Sequence, residues 1–134
     1  PVFAGLVRDV VRSTYFVYVD GVPTLRNGMR GALLHGTGGN YLRIHLKFDQ
    51  PLDQKVAVLA HELQHVREVV QSGISADAAD MERLFQRIGA KQLPGGARQQ
   101  FETAAALHMG DLVATDLRKK VGVPGVDSCR AGTQ

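Results

Sequence analysis

The sequence predicts an α+β domain, a small mixed or antiparallel sheet packed on a helix bundle. Three observations carry that reading. Along residues 41–48, Leu42, Ile44, Leu46 and Phe48 alternate with Tyr41, Arg43, His45 and Lys47, the period-two pattern of a strand with one wet face. From about 54 to 71 apolar residues (Val56, Leu59, Leu63, Val66, Val70) return at helical spacing. The chain has 134 residues, 44% of them hydrophobic and 22% charged, which suits one folded domain over 1–134 and excludes disorder.

The remaining elements follow in chain order. Phe3, Leu6, Val7, Val10 and Val11 lie opposite Arg8, Asp9 and Arg12 and predict a helix over 2–13. Tyr15 to Val19 reads as a strand ending in a turn at Asp20-Gly21. Residues 20–40 are crowded with glycine and read as loop, with a short strand through Ala32-Leu33-Leu34. The run from His35 to Asn40 lacks the lysine of a phosphate-binding loop and reads as a hairpin connection. Pro51 and Asp53 open the helix over 54–71, which stops near Ser72-Gly73. A second helix is expected from Ser75 to Gly89 and a third over 97–120, with Gly110 as its weak point. Glycine and proline after 121 predict a flexible tail over 122–134.

Composition narrows the function classes. The net charge is +3, but the eleven arginines and five lysines are scattered. A nucleic-acid partner is therefore not expected. No apolar run approaches the about 20 residues of a membrane span. The single Cys129 cannot form an internal disulfide. Beginning at Pro1, the chain reads as a processed or trimmed soluble protein, cytoplasmic or secreted.

The chemistry concentrates in Ala60-His61-Glu62-Leu63-Gln64-His65-Val66, an H-E-x-x-H run inside the predicted helix. Residues four apart on a helix differ by about 40° in direction and about 6 Å in height. Two imidazoles so placed converge on one metal ion at about 2.0–2.1 Å each. Glu62, beside the first histidine, reaches the ion's open side and can take a proton from metal-bound water. This motif, with the strand over 41–48 before it, resembles the zincin metallopeptidases, gluzincin-like and of a small bacterial type.

The resemblance implies a zinc-dependent peptidase acting on a peptide or protein substrate, with one Zn²⁺ as cofactor. A metzincin third ligand is excluded, since Gln71 and Glu68 stand where that subclass has histidine and glycine. The gluzincin pattern takes a glutamate from a later helix. Glu68 suits an ion-pair or supporting role, Glu82 lies among surface charges, and Glu102 sits among small uncharged residues where a buried acid needs a partner. The expected set is His61, His65 and Glu102 on zinc with Glu62 as catalytic base. Ala106 stands where thermolysin-like relatives carry an aspartate that orients a ligand histidine, leaving Asp111 and Asp116 as candidates for that task. His108 is an alternative third ligand or transition-state donor. If the strand over 41–48 is the zincin edge strand, Tyr41, Arg43 and His45 line the substrate cleft. The Cys129 thiolate could close the open zinc position. The competing reading is a non-catalytic zincin-like metal-binding domain serving as a protein-interaction module.

Overall fold

The computed structural model describes residues 2–35, 40–74, 78–88, 90–92 and 100–132. Helix α1 (Val2–Val11) precedes strand β1 (Phe16–Val22), β2 (Gly31–His35) and β3 (Tyr41–Lys47). Helices α2 (Leu52–Ser72) and α3 (Ala78–Ile88) follow, then a short pair of strands, β4 (Ala90–Gln92) and β5 (Gln100–Glu102), and finally α4 (Ala104–Gly132). This is the α+β architecture expected, with a small mixed sheet on a helical bundle.

Strand β1 continues through Asp20-Gly21, where a turn was expected, because β3 beside it supplies a parallel partner as far as Val22↔Lys47. β2 pairs with β3 antiparallel, from Gly31↔Leu46 to His35↔Leu42. The order β1-β3-β2 makes β3 the central strand and leaves β1 and β2 as edges. The Lys47 N–H donates to the Arg30 carbonyl at 2.9 Å. Alternation along an antiparallel ladder then turns the backbone groups of Ala32 and Leu34 toward β3 and those of Gly31, Leu33 and His35 outward. The connection over 36–39, expected as a hairpin turn, lies outside the described residues.

Leu42 and Ile44 are fully buried and Leu46 nearly so. They face α2 and share one core with Leu6, Val66 and Val69. Each such side chain contributes about 1.5–3 kcal/mol through removal of apolar surface from water. Helix α2 starts after Pro51, whose carbonyl accepts the Lys55 N–H at 2.9 Å, and carries Asp53 in its first turn, favourable to the helix dipole. It ends at Gly73, whose φ of 70° is the left-handed stop that glycine adopts without strain. Helix α3 lies within the expected 75–89, whose ends at 75–77 and 89 are outside the described residues. The third helix begins at Ala104, not 97, and extends beyond the expected end at 120 to Gly132.

Candidate metal centre

Helix α2 carries both motif histidines on one face, one turn apart, with ring centroids 5.0 Å from each other. Their Nε2 atoms converge on one carboxylate oxygen: His61 Nε2 lies 2.7 Å and His65 Nε2 2.9 Å from Glu102 Oε1. One ligand atom from each of the three residues falls within 4.8 Å of the others, a group that could hold a metal ion. Glu102 is not on a helix, as the gluzincin pattern had implied, but is the last residue of β5, paired with Ala90 of β4. The next residue explains the change of structure. Thr103 Oγ1 accepts the Ala106 N–H at 3.1 Å and so caps the start of α4.

The neighbours of the triad fix its parts. Glu68, one turn beyond His65, lies with Oε2 3.0 Å from His65 Nδ1, while its Oε1 accepts the Thr103 hydroxyl at 2.5 Å. Phe85 of α3 meets the His65 ring edge-on at 5.3 Å. Gly110 brings α4 close to α2, for a Cβ there would lie 3.5 Å from both the Ala57 carbonyl oxygen and His61 Cβ. Gly31 does the same on the sheet side. A Cβ there would come within 2.4 Å of Val58 and 3.3 Å of Glu62 Cγ, so edge strand β2 crosses directly over Glu62. The outward Leu33 N–H hydrogen-bonds the Glu62 carboxylate.

Burial sets the electrostatics. It pushes the Glu62 carboxyl above the usual carboxylate range, against the pull of His65 and His61 and the Leu33 N–H. For His65, burial disfavours the imidazolium, yet hydrogen bonds to Glu102 and Glu68, with the charges of Glu62 and Glu68, outweigh it and raise the group to about 9. Burial raises Glu102 too, but hydrogen bonds from His61 and His65 prevail and hold it down at about 2.

Several expected site residues lie elsewhere. Because Leu42, Ile44 and Leu46 face the helices, Tyr41, Arg43 and His45 project from the opposite face of the sheet. There Tyr41 stacks between Phe16 and Tyr18, and Arg43 pairs with Asp20 at 2.6 Å. They do not line a cleft beside α2, and their strand has no free edge; that position belongs to β2. His108 is exposed on α4 and outside the triad. The support expected of Asp111 or Asp116 is given to His65 by Glu68. The Cys129 side chain lies outside the described residues. Sequence reasoning missed Thr103, Phe85, Gly31 and the Leu33 N–H. Of these only Thr103, a capping residue before three alanines, carried a local signal.

The donor set suits a divalent metal ion: two imidazole nitrogens and a carboxylate oxygen, with Glu68 on the other ring nitrogen of His65. No protein-family model, curated protein or solved structure matches the chain. The fold and site define an α+β domain with a zincin-like triad of a kind that can hold a metal ion. Among the described residues no helix is long and apolar enough to cross a membrane.

Proposed function

We propose that the protein is a zinc-dependent metallopeptidase, with His61, His65 and Glu102 as ligands and Glu62 as catalytic base. One observation carries the reading. Among the described residues, Glu62, Glu68 and Glu102 are gathered around two imidazoles in a mostly buried cluster. Three acids against two bases, so little exposed to water, is a costly arrangement that a divalent cation relieves.

When bound, zinc supplies a Lewis acid that acidifies water and polarises a carbonyl. The protein's own groups do the rest. The Glu62 carboxylate takes the proton of the attacking water and passes it to the departing amine. Burial makes Glu62 more basic than a surface glutamate, closer to what a general base near neutral pH requires. The Leu33 N–H holds that carboxylate against the sheet edge. An extended peptide would lie along edge strand β2, where outward main-chain groups such as those of Gly31 would supply affinity.

The test is a peptide-library digest read by mass spectrometry, run beside a zinc titration. Glu62→Gln should bind zinc as the parent does and lose at least about 100-fold in hydrolysis. Full activity in that variant refutes the mechanism.

A further inference from the structure

We propose that Glu68 and Thr103 are positioning residues that lock the two ligand-bearing segments of the metal centre into one register, an inference that rests on the metal-centre reading above. The ligands come from distant parts of the chain, His61 and His65 from α2 and Glu102 from β5. Direct contact between the segments at the ligand atoms cannot hold them in place, because an ion would take those same atoms. A separate clasp is needed, and Glu68 forms it. One of its carboxylate oxygens holds His65 Nδ1 at 3.0 Å and the other accepts the Thr103 hydroxyl at 2.5 Å.

Each end of the clasp bears on a ligand. Accepting a hydrogen bond from the His65 Nδ1–H selects the tautomer whose Nε2 lone pair is free for a metal. Thr103 adjoins Glu102, so fixing its hydroxyl fixes the carboxylate's point of departure. The same hydroxyl oxygen accepts the Ala106 N–H at 3.1 Å and ties the clasp to the first turn of α4. The Glu68 side chain is 9% exposed and Thr103 5%, so water competes little for these bonds. Neither residue reaches the triad's convergence point; both act through their neighbours.

The experiment measures zinc affinity by competition with a chromogenic chelator in the full chain and in Glu68→Ala, Glu68→Gln, Thr103→Val and Thr103→Ser. Circular dichroism of each metal-free variant controls for folding. Loss of an outer partner of a ligand histidine costs about 10- to 100-fold in affinity. Glu68→Ala and Thr103→Val should each weaken zinc by that factor, and their double variant by less than the product, because they break one clasp. Thr103→Ser should restore the parent affinity. In zinc-loaded protein the His65 Nδ1–H should give a slowly exchanging downfield proton resonance that disappears in Glu68→Ala; Glu68→Gln, which still accepts there, should keep it. Parent-like affinity and resonance in Glu68→Ala, with the parent binding zinc, overturns the clasp and leaves the metal centre standing. Failure of the parent itself to bind zinc overturns both.

Discussion

Gly110 offers a test with two arms of opposite sign. A Cβ at this position would meet the Ala57 carbonyl oxygen and His61 Cβ at 3.5 Å and His61 Nδ1 at 3.8 Å, all ordinary van der Waals contacts. Alanine therefore fits, and it removes the about 1 kcal/mol that glycine costs inside a helix. Gly110→Ala should raise the midpoint of thermal unfolding by about 3–6 °C for a domain of this size and leave zinc affinity unchanged. Valine adds two carbons about 1.5 Å farther out, and its stiff χ1 in a helix prevents both from swinging clear. One must displace the His61 ring. Gly110→Val should then lose more zinc affinity than the about 10- to 100-fold set by an outer partner. Differential scanning calorimetry and zinc competition read the two arms. Parent-like zinc binding in Gly110→Val would refute the close approach of α4 to α2 at His61.

Three further outcomes are expected. In chelator-treated protein the His65–Glu102 pair should stabilise the fold fully between about pH 4.5 and 6.5. That contribution fades as pH rises from 6.5 toward 9, where His65 loses its proton, and as pH falls from 4.5 toward 2, where Glu102 gains one. Urea midpoints across pH should show both limbs, and Glu102→Gln should flatten them; an unchanged profile contradicts the pairing. Gly31→Ala forces a Cβ to 2.4 Å from Val58 and 3.3 Å from Glu62 Cγ, so it should cost about 1–3 kcal/mol in denaturant unfolding and slow hydrolysis, whereas unaltered stability would contradict the crossing of β2 over α2. Chelation should abolish hydrolysis yet leave the far-ultraviolet circular dichroism intact, since the core of Leu6, Leu42, Ile44, Val66 and Val69 contains no ligand residue; unfolding on chelation would instead mark a structural site.

Local signals made the motif helix legible and left the sheet order hidden. His61, Glu62 and His65 fall on α2 because spacing within one helix is a local property. The cost of an acid among small apolar residues marks Glu102 in the sequence, whereas the cap formed by Thr103 starts α4 only after it and places Glu102 on a strand. The alternation over 41–48 reported one buried face and was silent on which edges are paired. That depends on β1 and β2 lying either side of β3, a tertiary fact. The placement of Tyr41, Arg43 and His45 beside α2 turned on that order, and the sheet puts them on its opposite face. Glu68 stands three residues after His65, a spacing at which helix side chains meet. Its second partner, Thr103, is 35 residues away, beyond any local pattern.

The account stands on His61, His65 and Glu102 forming one metal centre. An anomalous difference map recorded at the zinc edge, from crystals grown with zinc, tests this most directly. The predicted result is a single strong peak bonded by both Nε2 atoms and a Glu102 carboxylate oxygen, with the fourth position open to solvent. No peak at the triad, or a peak closed by a fourth protein group, would contradict the account.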